Sequence, residues 1–222
     1  MKNNINTLVF DWNGTLLEDT WAIHYCANLI LKRYGRPTID IDTFRDLCDV
    51  PFERMYLNFG FSESDVEKLT GGNNTIFHDN YEPLADQSAL REGAEDALKC
   101  ARTLGMQIII LSNHLVGSIK RQLHRLKIDS LIDDVLAYPN REVQFIDMTK
   151  CERLQRFMAE KKIKPERVAI IGDTSEEIKI ARSLHLCSIA ITGGVVSEPR
   201  LHAAEPDRVV HSLNELIPFF SS

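Results

Sequence analysis

Short runs of apolar and β-branched residues recur along the chain and alternate with segments of helical periodicity. The runs predict β-strands at Ile5–Phe10, Gln107–Leu111, Val135–Ala137, Val168–Ile171 and Cys187–Ile191. Apolar positions at three- and four-residue steps predict helices at Glu92–Leu104, Val116–Leu126, Lys150–Lys161 and Glu176–Leu184. Strands that alternate with helices are typical of an α/β fold, in which helices cover both faces of a parallel sheet.

An insertion interrupts this alternation after the first strand. In residues 17–83 no run resembles a strand, and Ala22, Cys26 and Ile30 follow a helical spacing. The chain of 222 residues is long for one minimal domain and short for two full ones. We therefore predict a helical cap domain at 17–83 and an α/β core domain made of residues 1–16 and 84–222.

Turn-forming residues mark the edges of the insertion and one point inside it. We expect hinges at Leu17–Thr20 and at Tyr81–Leu84, because both segments join the insertion to the core. The glycine- and asparagine-rich segment Gly71–Asn74 is expected to be a loop within the cap.

Composition narrows the class of protein. The hydrophobic fraction of 44% and the charged fraction of 26% are typical of globular proteins, and a net charge of −6 disfavours nucleic acid as a partner. Five cysteines without a Cys-x-x-Cys pair favour reduced thiols and a cytoplasmic location. The sequence shows no signal-peptide pattern, no apolar run of membrane-spanning length and no histidine spacing typical of zinc sites, so we expect no membrane association.

Polar residues with useful chemistry follow three of the predicted strands. Ligands of open α/β sheets bind at the carboxyl ends of the strands, so residues at these ends are expected to meet. The candidates are Asp11 and Asn13 after the first strand, Ser112 and Asn113 after the second, Asp173 and Glu177 after the fourth, and Lys150 at the start of the preceding helix.

This set of residue types indicates phosphoryl transfer. The carboxylates of Asp11 and Asp173 would repel each other unless a cation lay between them, and hard oxygen ligands suit Mg²⁺. A serine hydroxyl and the ammonium of Lys150 would complement phosphate oxygens. Asp11 is then the candidate nucleophile.

The ordered set of motifs resembles the haloacid dehalogenase superfamily, and the likeness covers nearly the whole chain. Phe10-Asp11-Trp12-Asn13-Gly14-Thr15-Leu16 is similar to the first motif, Asp-x-Asp-x-Thr, and Ile109-Ile110-Leu111-Ser112-Asn113 to the second. Lys150 lies 23 residues before Asp173, as expected of the third motif, and Gly172-Asp173-Thr174-Ser175-Glu176-Glu177 is similar to the fourth. The sequence departs from the family at Asn13, at Cys151 in place of a proline, and at Glu177 in place of an aspartate.

The resemblance implies a Rossmann-like core with the first strand in the centre and a helical cap that closes over its carboxyl end. Within the family the chain is similar to the helical-cap members (subfamily I) of the phosphoglycolate-phosphatase type. It implies a Mg²⁺-dependent phosphatase that acts on a small phosphorylated metabolite through an aspartyl-phosphate. By this resemblance Asp11 is the nucleophile, and the metal ligands are Asp11, Asp173 and the backbone carbonyl of Asn13. Glu177 contacts the ligands without binding the metal itself. The residues that bind phosphate are Ser112, Asn113 and Lys150.

Asn13 leaves open which group donates and accepts protons during the reaction. A carboxamide has no useful pKa, so Asn13 cannot act as the general acid and base that the family's second aspartate provides. The substrate would then need a good leaving group, such as an acyl phosphate or phosphoanhydride, or another residue such as His114 would supply the proton. A dehalogenase, a phosphonate-cleaving enzyme and a regulatory module that binds phosphate without turnover remain alternatives.

Several residues near the motifs have simpler interpretations. Helix capping is an alternative interpretation of Thr15 and Thr174, to which we assign no catalytic role, and His114 is expected to be a loop residue. In the cap, Phe52, Met55, Tyr56 and Phe59 are expected to form a buried helix face rather than a specificity pocket.

Overall fold

Residues 5–71, 75–141, 143 and 148–220 are described by a computed structural model. Within this part of the chain, six strands form one parallel sheet. In spatial order β1 lies between β2 and β4, and the whole order is β3, β2, β1, β4, β5, β6. The strands are β1 (Thr7–Phe10), β2 (Gln107–Leu115), β3 (Asp134–Tyr138), β4 (Val168–Gly172), β5 (Cys187–Ile191) and β6 (Arg208–Val210).

The predicted α/β class is confirmed, and so is the central position of β1. The strands that flank β1 pair with it in register, with Val9 opposite Ile109 on one side and Ile170 on the other. Because β1 is covered on both faces, all four of its residues are buried, and this accounts for the apolar run Leu8–Phe10 in the sequence.

The strand predictions differ from the structure at the ends of strands and at one edge of the sheet. β1 begins at Thr7 rather than Ile5, and β2 continues to Leu115 instead of ending at Leu111. The edge strand β6 was not predicted, because it has three residues and only Val210 is buried. Short edge strands carry little of the apolar pattern that identifies a buried strand.

The insertion after β1 is helical, as predicted. Its described helices pack around a cluster of buried apolar residues that includes Ile30, Phe44, Met55 and Tyr81, together with Val195 of the core. The helices are α1 (Thr20–Arg33), α2 (Ile41–Leu47), α3 (Phe52–Asn58), α4 (Glu63–Thr70) and α5 (Ile76–Ala85).

The expected hinge at Tyr81–Leu84 is wrong, because α5 continues through it to Ala85. Pro83 is accommodated inside this helix, and the chain returns to the core after Asp86. Most of the expected loop Gly71–Asn74 lies outside the described residues. The division into a cap at 17–83 and a core stays a prediction, and its second boundary falls within α5.

The remaining helices flank the sheet. Those predicted from periodicity are present, with α7 and α8 at the predicted ends and the others shifted by one or two residues. They are α6 (Ala94–Thr103), α7 (Val116–Leu126), α8 (Lys150–Lys161), α9 (Ser175–Leu184), α10 (Glu198–Ala203) and α11 (Leu216–Phe220). In the described part of the chain, none of the helices is long and apolar enough to cross a membrane.

Polar contacts join the inserted helices to the core on two sides. The guanidinium of Arg45 on α2 donates to the carbonyl oxygens of Gly193 and Gly194, each at 3.0 Å. On the other side, Asp86 accepts from Arg121 on α7 at 2.8 Å. The two contacts hold the inserted helices above the carboxyl end of the sheet.

Candidate active site

Asp11 follows β1 directly at the carboxyl end of the sheet. Its backbone N–H donates to the carbonyl of Ile171 on the neighbouring strand at 2.9 Å, which continues the sheet pairing by one residue. Its side chain is buried, and its Oδ1 accepts a hydrogen bond of 2.6 Å from the ammonium of Lys150. The strand thus places a carboxylate at a fixed point beside a cation.

Lys150 is the first residue of α8, and its ammonium lies between carboxylates. Besides Asp11 it contacts Glu177 Oε1 at 2.5 Å and Glu176 Oε2 at 3.8 Å. The side chain is only 3% exposed. Burial opposes its charge, but the three carboxylates hold the pKa of Lys150 above its usual range. The side chain is therefore a permanent buried cation.

The start of α8 explains how Lys150 is positioned. Thr149 caps the helix by accepting from the backbone N–H of Glu152, and the Glu152 side chain accepts from the Thr149 N–H in return. This capping box begins the helix at Lys150 and directs the first side chain towards the strand ends.

The carboxylates around Lys150 carry raised pKa values. Burial raises the pKa of Asp11 well above its ordinary value, and the charges of Glu177 and Asp173 raise it further, while Lys150 lowers it. Burial and Glu177 also raise the pKa of Asp173, to about 6. One ammonium therefore does not fully offset the negative charge gathered at this point.

Asp173 and its surroundings are closely packed. The carboxylate accepts from the Thr15 hydroxyl at 2.9 Å and from the backbone N–H of Val195 at 2.7 Å. A Cβ atom at Gly14 or Gly194 would lie 2.3 Å or 2.1 Å from Asp173 Oδ2, so both positions require glycine for the backbone to approach.

Thr15 and Thr174 form different hydrogen bonds. Thr174 caps α9 and forms a capping box with Glu177. This leaves Glu177 Oε2 bound to Thr174 and Oε1 bound to Lys150. Thr15 instead donates to Asp173, which argues against the alternative that it caps a helix.

Asn13 lies in a network that the sequence did not reveal. Its side-chain Nδ2 donates to Asp19 Oδ2 at 2.8 Å and to the Tyr81 hydroxyl at 2.6 Å. Tyr81 also donates to Asp19, whose other oxygen accepts from the Gly14 N–H at 2.7 Å. Asp19 is fully buried, and burial raises its pKa to about 6 although these hydrogen bonds lower it. The carboxamide thus donates to a buried carboxylate that an aspartate at position 13 would repel.

The residues after the second predicted strand lie within β2 and not in a loop. Ser112 Oγ accepts from the His114 N–H at 3.1 Å and lies 3.4 Å from Asn13 Oδ1, whereas Asn113 donates to Glu176 at 2.9 Å. His114 is 7% exposed, so the expectation that it is a loop residue is wrong. Burial lowers the pKa of His114 to about 4, so its imidazole is neutral at pH 7 and is no source of an imidazolium proton.

Two arginines hold the backbone of the site, and no motif identified them. Arg91 donates to the carbonyls of Gly14 at 2.7 Å and Thr192 at 2.6 Å. Arg153, one turn after Lys150, donates to the Ser112 carbonyl at 2.9 Å. Their only sequence signal is the position of Arg153 on the same helix face as Lys150.

A cavity of about 500 Å³ lies between the strand ends and the inserted helices. Six of the seven predicted site residues line it, whereas the fully buried Asp173 does not. The core contributes Asp11, Asn13, Ser112, Lys150 and Glu177 among others, and the insertion contributes side chains that include Phe52 and Phe77. Met55 and Tyr56 are buried as predicted, but Phe52 lines the cavity, which corrects its assignment to a buried helix face.

The donor set fits a hard divalent cation. Asp11 and Asp173 offer carboxylate oxygens, and their pKa values are raised chiefly by burial and then by the neighbouring carboxylates, so a bound cation would favour their ionised forms. Among the described residues, no three His, Cys, Asp or Glu side chains form a group that could hold a metal by themselves. The predicted set uses only two such side chains, with the Asn13 backbone carbonyl as the third ligand.

Comparison with protein families gives one match over most of the chain. The model of the family described as "Haloacid dehalogenase-like hydrolase" matches residues 8–191.

The similarity to individual relatives and to solved structures covers nearly the whole chain. The chain is 24% identical to a phosphoglycolate phosphatase of Vibrio parahaemolyticus over 97% of this chain and 96% of that protein. It is 22% identical to the pyrophosphatase PpaX of Bacillus cereus over 98% of this chain and 97% of that protein. A haloacid dehalogenase-like hydrolase of Streptococcus pneumoniae has a similar fold, with a TM-score of 0.81, 21% identity and coverage of 98% and 99% of the two chains.

Proposed function

The chain belongs to the haloacid dehalogenase-like hydrolases, and we propose that it is a phosphatase with Asp11 as its nucleophile. The observation that carries the proposal is the buried Lys150 ammonium, 2.6 Å from Asp11 Oδ1 at the end of the central strand. The named phosphatases among the relatives support a small phosphorylated substrate. We further propose that residues 17–83 act as a cap over a core of 1–16 and 84–222, in a cytoplasmic enzyme.

The proposed reaction has two displacements at phosphorus. An Asp11 carboxylate oxygen attacks the phosphoryl group, the bond to the leaving oxygen breaks, and that oxygen departs with the electron pair. Water then attacks the aspartyl-phosphate, which releases inorganic phosphate and restores the Asp11 carboxylate. Lys150 favours the ionised nucleophile, because its charge lowers the pKa that burial raises.

Other residues of the chain would orient the phosphoryl group. Ser112 and Asn113 line the same cavity as Asp11, and Arg153 holds the backbone carbonyl between them. Mg²⁺ would be held by Asp11, Asp173 and the backbone carbonyl of Asn13. Glu177 would support these ligands without binding the ion itself. The bound ion would neutralise charge on the phosphoryl oxygens.

The surroundings of Asn13 support a substrate with a good leaving group. His114 is neutral at pH 7, so it is not an effective replacement for the missing acid. A leaving group that departs as a stable anion needs no proton in the first displacement. An acyl phosphate, an aryl phosphate or a phosphoanhydride meets that condition.

The alternative of a phosphonate-cleaving enzyme has little support. That chemistry uses a cap lysine as a Schiff base, and Lys32 and Lys68 are the lysines of residues 17–83. Both are exposed, and neither is among the described residues that line the cavity.

Phosphate release from p-nitrophenyl phosphate tests the proposal. We expect turnover with Mg²⁺ and its loss when a chelator removes the metal, because the carboxylates of the site then lack their cation. Metal-independent halide release from a haloacid would support the dehalogenase instead. Phosphate binding without turnover would support the regulatory module.

Replacing Asn13 with Asp is expected to raise turnover of an alkyl phosphate such as glycerol phosphate by about 10²-fold, and that of p-nitrophenyl phosphate by much less. The new carboxyl group would face Asp19, and the repulsion would raise the pKa of the pair into the range of a general acid. Because these raised pKa values exceed those of the unfolded chain, stability of the variant should fall as pH rises from 4 to 8.

Steady-state kinetics on both esters measure this difference. Asn80→Asp is the matched control, because Asn80 is exposed on α5 outside the cavity. An equal response of both esters, or no gain on the alkyl ester, would contradict a missing acid and base at position 13.

A further inference from the structure

The cavity extends well beyond the space that a phosphoryl group needs. A volume of about 500 Å³ lies within the range of pockets that enclose a whole organic ligand. One end contains Asp11 and Lys150. The other end is lined by side chains of the inserted helices and the loop before α3.

The walls of this second end are apolar and aromatic. Phe77 stacks on Tyr81 with ring centroids 5.3 Å apart and an angle of 22°, and Phe52 packs against Phe77 at 5.5 Å. Val50 and Pro51 continue the same wall. Such a surface binds apolar groups by removing their surface from water, and it provides nothing for a strongly hydrated anion.

The charges that line the cavity are mainly negative. Among the described lining residues, Lys150 is the one permanent cation, and its ammonium already contacts Asp11 and Glu177. Burial lowers the pKa values of His78 and His114, so both imidazoles are uncharged at neutral pH. The positive charge of Arg141 lowers the pKa values of both histidines further. The Arg141 side chain is exposed and is not among the described residues that line the cavity. Among the described residues that line the second end, none carries a permanent positive charge.

Polar atoms at this end lack hydrogen-bond partners within the described part of the chain. Oε2 of Glu53 and Nδ1 of His78 are buried and unpaired. His114 Nδ1 accepts from the Leu115 N–H at 2.7 Å, so the neutral ring carries its proton on Nε2, which is buried and lies 3.5 Å from Glu82 Oε1 without forming a hydrogen bond. Buried polar atoms are normally paired, and the Glu53 carboxylate provides an unused acceptor.

We propose that the substrate carries an apolar, preferably aromatic, organic group with a hydroxyl or ammonium donor for Glu53, and no carboxylate or second phosphate. This inference rests on the proposed phosphatase function and narrows its substrate. Phosphoglycolate and pyrophosphate both bring a second anionic group. That group would lie beside the Glu53 carboxylate, and no described residue that lines this end offers a permanent positive charge to offset the repulsion.

Binding of a matched series of benzylphosphonates tests the proposal without requiring turnover. The three ligands carry a 4-aminomethyl, a 4-hydroxymethyl or a 4-carboxyl group, and calorimetry with Mg²⁺ present gives their Kd values. We expect the aminomethyl compound to bind at least about tenfold more tightly than the carboxyl compound, with the hydroxymethyl compound between them. In Glu53→Gln this ratio should fall to about threefold or less.

Glu67→Gln is the matched control, because Glu67 is exposed on α4 and does not line the cavity. It should leave the ratio unchanged. Equal or tighter binding of the carboxyl compound to the parent protein would overturn the proposal, as would no binding of any of the three, or an unchanged ratio in folded Glu53→Gln. Failure of the phosphatase function would show separately, as absent phosphate release from p-nitrophenyl phosphate.

Discussion

Replacing Asp11 with Asn is expected to lower phosphate release from p-nitrophenyl phosphate by about 10⁴-fold or more. The substitution keeps the size of the side chain but removes the nucleophilic carboxylate. It leaves Lys150 paired with Glu177 at 2.5 Å, so the buried ammonium retains a partner and the protein should remain folded. The substitution should therefore lower the catalytic rate and leave the fold intact. Circular dichroism measures whether the variant is folded, and calorimetry measures whether it still binds phosphate.

A covalent readout separates the nucleophile from a residue that only binds the metal. Mass spectrometry of the acid-quenched parent protein should find a phosphoryl group on the peptide that contains Asp11, and none in the variant. Asp96→Asn is the matched control, because Asp96 is exposed on α6. Retention of substantial turnover by Asp11→Asn, or a phosphoryl group on another residue, would assign the nucleophile elsewhere.

Replacing Lys150 with Met is expected to destabilise the protein by about 3–5 kcal/mol. Methionine fills a similar volume but leaves Asp11 and Glu177 buried together without their shared cation. Removing one partner of a buried ion pair costs far more than removing an exposed pair, because the remaining charge stays out of water. Denaturant unfolding without added metal measures this change in free energy.

The same substitution at Lys99 provides the comparison. Lys99 contacts Glu95 at 2.6 Å, but both side chains are more than half exposed, so Lys99→Met should change stability far less than Lys150→Met does. Equal effects of the two substitutions would mean that the buried ammonium contributes no more than a surface charge.

The loss in Lys150→Met should be larger at pH 8 than at pH 5. Without the ammonium, burial and mutual repulsion raise the pKa values of the carboxylates in the folded state above those of the unfolded chain. At pH values between the pKa of the unfolded chain and that of the folded state, the folded state binds more protons than the unfolded chain. Its stability therefore falls as pH rises through this range. Protonation at low pH therefore offsets part of the loss. A stability difference that does not depend on pH would contradict this account.

Much of the fold could be predicted because its strands are buried on both faces. The residues of β1, β4 and most of β5 are apolar for that reason, and the sequence pattern follows from it. Parallel strands also bring their carboxyl ends together, so residues that follow β1 and β4 had to meet. Six of the seven polar candidates accordingly line one cavity, Asp173 being buried beside it, while their catalytic roles stay predictions.

The edge of the sheet and the exit from the insertion could not be predicted in the same way. β6 has one buried residue in three, which leaves no apolar period to detect. Pro83 suggested a helix end, but α5 continues because Tyr81 and Ala85 pack in the buried cluster of the insertion. Tertiary packing there outweighs a local preference.

The amino-acid sequence by itself determined the α/β class, the central nucleophile candidate Asp11 and the order of the motifs, because burial and strand ends leave local patterns. Only the tertiary structure decided the partners of these residues. The contact of Lys150 with Asp11 joins positions 139 residues apart, and that of Asn13 with Tyr81 spans 68 residues. Such contacts depend on how distant segments pack, which no local period of the chain encodes.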